Sequence, residues 1–358
     1  MKTVNYKNSL FKCIAVAVLL LYETFNLFSQ DIEHPHGWIV PAWYSKPFVC
    51  EIESPLNKTE IGFGRGREEY TPMENGESLY VPYLNVDLGT TIPIYSGHIK
   101  DKWLFSIDIP ISFHLWLDMK TNSAPVLNTD YRFAVGELKL LRYLNKTKYI
   151  KNISFRYAPL NHESTHIGDE LTIRRKLAGY PITRVNVSYE YSEIAACIND
   201  PTNKRDDNHA LKVGLMVRIP NGTNWYKIYP NEGDSIFNSK MGNLTEYYFE
   251  YEWQRKSKLF KKDNILSVLS LEIRNRAKYK YPTISWSEYY HRWEVIHSKH
   301  SRAWCFNLYC GLRIFPKFLK YEKNLGMYIH AYYGIVPYGQ FRNTSNYSYL
   351  GFSFVVDV

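Results

Sequence analysis

The chain has 358 residues, a formal net charge of +9, and 31 Tyr, 9 Trp and 5 Cys. So few cysteines at this length exclude a small disulfide-stabilised scaffold. The basic balance fits either nucleic acid or acidic lipid headgroups, and the export signal described next excludes nucleic acid and favours lipid.

The N-terminus has the pattern of a secretory signal peptide. Two lysines precede an apolar run from Cys13 to Tyr22, and a small residue, Ser29, follows. This order is typical of a cleaved export signal, and the run is too short for a membrane-spanning helix. We predict a signal peptide over residues 1–29.

The segment 103–118 alternates between two kinds of residue. Its Ser, Asp and His residues occupy even positions only, and its odd positions are all apolar: Trp103, Phe105, Ile107, Ile109, Ile111, Phe113, Leu115 and Leu117. A period of two predicts a β-strand. The strand would span roughly 26 Å at about 3.3 Å per residue, enough for a tilted crossing of the hydrocarbon layer. Pro110 cannot donate to the ladder and predicts a bulge at that position.

The same period recurs to the end of the chain. One later strand is predicted to place Tyr189 and Tyr191 on its outward, apolar face and Glu190 on its inward face. The predicted strands lie near 60–70, 79–95, 101–118, 128–143, 149–164, 181–194, 209–220, 245–256, 264–276, 303–315, 324–337 and 347–357.

Long alternating strands in an exported chain favour an outer-membrane barrel over a soluble sandwich, whose strands would be shorter. We predict an all-β, antiparallel transmembrane barrel of about 12 strands over 59–358, after a periplasmic segment over 30–58. The longer connections follow odd-numbered strands and are predicted to be extracellular. The "FSQ" signal ending and the Asn, Lys and Tyr bias suggest a Gram-negative member of the Bacteroidota.

Four cysteines follow the signal peptide. Cys305 and Cys310 are an odd number of residues apart in a predicted strand, so they face opposite sides and are not expected to pair. Pairing of Cys50 with Cys197 stays open.

Residues 162–166 spell H-E-x-x-H, the motif of zinc proteases. That motif needs a helix, which places both histidines on one face. The preceding residues alternate as a strand instead, with Ile153, Phe155 and Tyr157 outward. In a strand, residues four apart are roughly 13 Å apart, too far to share a zinc ion. We predict no cofactor, and a zinc site on a helix capped by Asn161 remains an alternative.

The strand interpretation favours a different chemistry. Its phase places His162, Ser164 and His166 inward, and residues two apart share a face, so His162 could act as a base for Ser164. The ring would need an orienting acid, for which Asp169, Glu170 and Glu190 are candidates. The basic run Arg174, Arg175 and Lys176 could bind lipid phosphate.

The pair His162 and Ser164 on a barrel strand resembles the His-x-Ser pattern of the outer-membrane phospholipase A and lipid A deacylase barrels. The Asn-Gly that follows the serine in those families is replaced here by Thr165 and His166. In the phospholipase and the smaller deacylase the site faces lipid, whereas the phase here points inward unless Pro159 introduces a bulge. The resemblance implies hydrolysis of lipid esters.

Two stretches, "LNTDYRFAVG" at 127–136 and "FRYAPLNHESTHIGDE" at 155–170, resemble a bacterial family catalogued as domain of unknown function 1207. The resemblance covers roughly residues 45–260. It implies an outer-membrane location and marks the second stretch as a site, without implying an activity.

Three functions stay open. The first is a structural or partner-binding barrel, in which the polar residues of 162–169 form a lumen network with Arg132, Arg156 and Glu190. The second is a serine-type lipid hydrolase, and the third is a narrow pore. Outer-membrane lipid and lipopolysaccharide are the predicted partners, and protein partners stay unknown.

Overall fold

The computed structural model describes residues 37–39, 46–52, 54–65, 80–99, 103–120, 124–144, 150–170, 173, 177, 179, 182–200, 207–219, 222–228, 235–240, 245–257, 264–277, 283–287, 292–296, 302–316, 324–342 and 346–357. No helix in these ranges is long and apolar enough to cross a membrane.

Twelve antiparallel strands form a closed barrel. Each strand pairs with its neighbours in the chain, and the last strand pairs with the first through Tyr349–Gly64 to Val356–Asn57. In chain order the strands are β1 (Asn57–Arg65), β2 (Tyr80–Ile99), β3 (Trp103–Asp118), β4 (Val126–Val135 and Glu137–Tyr143), β5 (Asn152–Ile167), β6 (Ile182–Ile198), β7 (Asn208–Arg218), β8 (Thr245–Lys256), β9 (Ile265–Ala277), β10 (Arg302–Ile314), β11 (Asn324–Gly334) and β12 (Tyr347–Asp357).

The predicted fold class is therefore confirmed. Large apolar side chains cover the outer surface and remain exposed, among them Ile61, Leu88, Phe133, Phe306 and Phe352. A closed barrel satisfies every strand edge, and an apolar exterior suits lipid contact. The chain is an outer-membrane β-barrel.

The connections differ in length at the two ends of the barrel. The connections after β7 and β9 contain extra strands, Gly222–Ile228, Ser235–Lys240, Thr283–Ser287 and Arg292–Ile296. Gly222–Ile228 extends the sheet by pairing with the start of β6. The connection between β2 and β3, at the other end, covers only residues 100–102. Long connections lie on the extracellular side of outer-membrane barrels.

Irregularities interrupt neighbouring strands on one side of the barrel. The register of β2 against β3 shifts between Pro93 and Tyr95, and Gly136 interrupts β4. Pro110 itself pairs in register with Thr91, so the bulge predicted at Pro110 is wrong. Pro110 instead lies near Gly136, where the hydrogen-bonded pairing of β3 with β4 is interrupted. No β3–β4 hydrogen bond is therefore lost because proline lacks an N–H.

The short segment before β1 lies inside the lumen. Phe48 and Cys50 are fully buried, and the Val49 and Cys50 amides donate to Glu252 and Ser270. The boundary at residue 58 between a periplasmic segment and the barrel stays a prediction. Part of that segment contacts the inner wall of the barrel.

Glu51 anchors this segment through two buried ion pairs. Its carboxylate lies 2.9 Å from Arg156 and 2.7 Å from Lys212. Burial alone would raise the pKa of the Glu51 carboxyl, but the two cations outweigh it and hold the pKa well below its usual range.

The connection between β11 and β12 fills the opposite half of the lumen. Ile335 and Val336 are fully buried, and the Tyr338 ring stacks between His114 and Trp116 at centroid distances of 4.7 and 4.5 Å. With segments inserted at both ends, the lumen is a packed interior in the part of the chain that the structure describes.

The four cysteines that follow the predicted signal peptide are free thiols. Cys305 and Cys310 face opposite sides as predicted, the first buried and the second exposed. Cys50 and Cys197 lie in one buried apolar cluster without a bond between them.

Removing the anchor of the lumen segment should expose the buried Cys50 thiol. We expect Glu51→Ala to increase the rate of Cys50 labelling by a water-soluble maleimide about tenfold or more, because Arg156 and Lys212 lose their shared partner. Peptide mass spectrometry identifies the labelled cysteine. Asp207→Ala, which removes an exposed ion pair with Arg255, is the matched control and should change nothing. Equal labelling in both variants would contradict the anchoring role.

Candidate functional site

The strand that carries the H-E-x-x-H motif, β5, reverses its facing part-way along. Up to Ala158 the even-numbered side chains point into the lumen, and beyond the register shift that follows Ala158 the odd-numbered ones do. Glu163 is therefore buried in the lumen, and His162, Ser164 and His166 lie on the outer face. The structure corrects the predicted inward phase, because one extra residue in a strand moves every later side chain to the other face.

The extra residue is accommodated at Pro159 and Leu160. The Ser192 hydroxyl of β6 donates to the Pro159 carbonyl at 2.5 Å. This bond gives the carbonyl a partner at the bulge, where the regular pairing between strands is interrupted. Gly136 interrupts β4 at the same level with a φ of +71°, a conformation that favours glycine. A bulge at Pro159 was the sequence-based alternative that would turn the pair outward.

On the outer face, His162 is bonded to a carboxylate from the next strand. His162 and Glu190 are direct partners in the register of β5 and β6, and His162 Nδ1 lies 3.2 Å from Glu190 Oε1. Their side chains are 27% and 35% exposed, so both reach the surface. The Phe133 ring of β4 packs on the other side of the imidazole at 5.2 Å. A carboxylate bonded to Nδ1 fixes the tautomer that leaves Nε2 free to accept a proton.

Ser164 lies two residues further along the same face. It is half-buried and pairs in register with Ser188 of β6 and Tyr131 of β4. Residues two apart on a strand have Cβ atoms roughly 6–7 Å apart, which allows an imidazole to lean onto a hydroxyl. His162, Ser164 and Glu190 thus lie on one face of two adjacent strands, a set that we call the outer triad.

The outer triad is unusual for its location. Among the barrel-strand side chains whose exposure the structure describes, Glu190 is the one carboxylate on the outer face. Ionisable groups on a lipid-facing surface are costly and mark functional positions more often than structural ones. The three residues therefore form a candidate site.

The other predicted site residues take different positions. His166 is exposed on the outer face, where its ring contacts Tyr131 at 5.7 Å. Asp169 and Glu170 lie beyond the end of β5, and the carboxylate placed against His162 is Glu190 rather than either of them. The predicted phosphate-binding residues lie outside the described part of the chain: Arg174, Arg175 and Lys176.

The lumen network forms with different members from those predicted. Arg132 and Arg156 do point inward, but their partner is Glu193, at 3.3 and 2.7 Å. Glu190 lies on the outer face instead of in this network, and Tyr189 and Tyr191 are fully buried where an outward face was expected. The buried Tyr189 hydroxyl donates to Glu163, which shows why tyrosine suits this lumen as well as a lipid surface.

The zinc-protease interpretation of residues 162–166 does not fit this geometry. These residues are strand, so Glu163 is in the lumen and the two histidines of the motif are outside. Among the described residues, no group of three or more His, Cys, Asp or Glu side chains could hold a metal ion.

The chain matches no protein-family model and no curated protein sequence. The resemblance to the family of unknown function therefore stays a prediction.

Several solved outer-membrane barrels are similar to this fold. Outer membrane phospholipase A from Escherichia coli is 11% identical over 88% of this chain and 98% of its own, with a TM-score of 0.43. The translocator domain of the autotransporter NalP from Neisseria meningitidis is 8% identical over 84% and 86%, with a TM-score of 0.38. LpxR from Salmonella typhimurium is 10% identical over 84% and 100%, with a TM-score of 0.28. At these values the similarity concerns the barrel alone.

The bulge can be tested by deleting its extra residue. A spin label at Ser164→Cys should show the high oxygen accessibility of a lipid-facing site, and deletion of Leu160 should lower it several-fold by turning position 164 into the lumen. Electron paramagnetic resonance with oxygen and a polar nickel reagent measures this. A label at Phe155→Cys, before the bulge, is the control and should stay accessible in both backgrounds. Low oxygen accessibility at position 164 in the undeleted chain would contradict the outward facing.

Proposed function

We propose that this chain is a serine-type hydrolase of lipid esters, with Ser164 as nucleophile, His162 as base and Glu190 as the orienting acid. The observation that carries the proposal is the His162–Glu190 bond on the lipid-facing side of the barrel, next to an outward serine. A nucleophile, a base and a third group that orients the base form the general arrangement for acyl transfer.

The proposed reaction uses these groups in two steps. His162 Nε2 takes the Ser164 hydroxyl proton while Oγ attacks the ester carbonyl, and the same proton then passes to the departing alcohol oxygen. Water next attacks the acyl-serine, gives one proton to His162, and releases the fatty acid as Ser164 regains its proton. Glu190 holds the imidazole ring in place and stabilises the imidazolium that forms.

The surroundings suit a lipid substrate. On the β4 side, the exposed rings of Tyr131 and Phe133 offer an apolar surface for an acyl chain. On the β6 side, Ser188 and Glu190 are polar, and the Ser188 hydroxyl directly across from Ser164 could donate to the developing oxyanion. The polar side of the site would receive the ester and the headgroup, and the aromatic side the hydrocarbon.

The nucleophile is tested with outer-membrane lipid. Purified protein in micelles or vesicles should release fatty acid from phospholipid or lipopolysaccharide, and Ser164→Ala should reduce release to background because no acyl-enzyme forms. Mass spectrometry of free acids measures the outcome. Ser267→Ala, which changes an outward-facing serine on β9, away from the site, is the control for folding. Release that persists in Ser164→Ala would exclude a serine mechanism, and no release by the native chain would favour the structural barrel.

The orienting acid is tested separately. Glu190→Gln should lower kcat about a hundredfold or more with little effect on KM, since the amide can still contact His162 but cannot stabilise its charged form. Asp169→Asn, which removes an exposed carboxylate just beyond β5, should leave kcat unchanged. Steady-state kinetics on a soluble short-chain ester measures both. Equal rates in the two variants would show that Glu190 is only a surface partner of His162.

A further inference from the structure

On the lumen side of β5 and β6, directly behind the outer triad, lies a hydrogen-bonded chain that the proposed chemistry does not use. Glu163 is the residue between His162 and Ser164, and Tyr189 precedes Glu190. Glu163 and Tyr189 are register partners, both buried, and the tyrosine hydroxyl donates to the carboxylate. The two strands are therefore cross-linked by side chains on both faces at the same level.

The connection between β11 and β12 extends this link. Arg342, fully buried, donates to the Tyr189 oxygen at 2.6 Å and to Glu246 at 2.5 Å. Arg218 donates to the same Glu246 oxygen at 2.7 Å, and its guanidinium lies 4.7 Å from the Tyr189 ring centroid. Charge-assisted bonds of this kind are short and directional, so they hold Tyr189 in one position.

The same connection also contacts β5 one residue beyond Ser164. The Gly339 amide donates to Asp130 at 3.2 Å, and Asp130 accepts from Asn128, which in turn accepts from Thr165 at 2.9 Å. A Cβ atom at Gly339 would lie 2.5 Å from Thr165, so this approach requires glycine. The residues 339–342 thus pack against the reverse side of the site at two points.

We propose that residues 339–342 position the outer triad from inside the barrel, through Arg342, Tyr189 and Glu163. The inference rests on the proposed function. His162 and Glu190 come from different strands, and their bond depends on how β5 and β6 are held relative to each other. The Glu163–Tyr189 bond sets that relation on the inner face, and Arg342 fixes Tyr189. A displacement of about 1 Å in a catalytic group can lower the rate about a hundredfold. Loss of the Tyr189 hydroxyl behind the site can therefore lower the rate through small shifts of β5 and β6.

The test removes one hydroxyl. Tyr189→Phe keeps the ring and its packing but loses the bonds to Glu163 and Arg342. We expect labelling of Ser164 by a fluorophosphonate probe to slow about tenfold and kcat on a short-chain ester to fall about as much, with KM unchanged. The barrel should stay folded, as judged by heat-modifiable migration on gels. Tyr248→Phe is the matched control, because it removes another buried tyrosine hydroxyl, bound to Glu193 and Arg156 in the other half of the lumen.

A second pair of variants separates positioning from stability. Arg342→Lys retains a donor and should recover part of the rate, whereas Arg342→Met, of similar length and without a donor, should match Tyr189→Phe. If the native chain is labelled at Ser164 and Tyr189→Phe is labelled as fast as Tyr248→Phe, the positioning role is overturned and the hydrolase proposal survives. If the native chain is not labelled at Ser164, the proposed function is overturned, and the positioning role with it.

Discussion

The hydrocarbon layer is the constraint on which the rest of this structure depends. A strand in lipid cannot leave N–H or C=O groups without partners, so the sheet must close on itself, and the β1–β12 pairing completes that closure. The side chains then divide. Apolar residues face the lipid, and the polar residues of each strand must find partners in the lumen, where buried ion pairs such as Glu246 with Arg218 and Arg342 satisfy them. Unmatched charge inside would be costly, and the chain segments in the lumen supply some of the partners, among them Glu51 and Arg342.

Which side chains face the lipid and which face the lumen can mostly be predicted from the sequence, because a strand in lipid must alternate apolar and polar residues with a period of two. The alternation of 103–118 predicts a lipid-facing strand, and every one of its odd positions except the buried Trp103 faces outward at least in part. The twelve strands and their order follow from the same period. What alternation cannot supply is a change of phase, since a bulge shifts the pattern without altering its composition.

The candidate site illustrates that limit. Its residue types and spacing were visible in the sequence, and so was Pro159, the residue at which the phase changes. Whether a proline produces a bulge depends on the neighbouring strands, here on Ser192 in β6 and Gly136 in β4. The predicted inward facing of Glu190 was wrong for a related reason. Tyrosines alternate with Glu190 in the sequence, and tyrosine occurs both at lipid surfaces and in hydrogen-bonded lumens. Only the partners of Tyr189, which lie far away in sequence, decide between the two.

The segment that contains Glu51 also has a consequence for how the barrel is assembled. It precedes β1 in the chain, yet its partners are distributed over β5, β7, β8, β9 and β10. Its docking therefore cannot be completed until most of the wall exists, and contacts so distant in sequence form slowly. During biogenesis this segment would be among the last parts to reach its final place, after the strands that hold it have already entered the membrane.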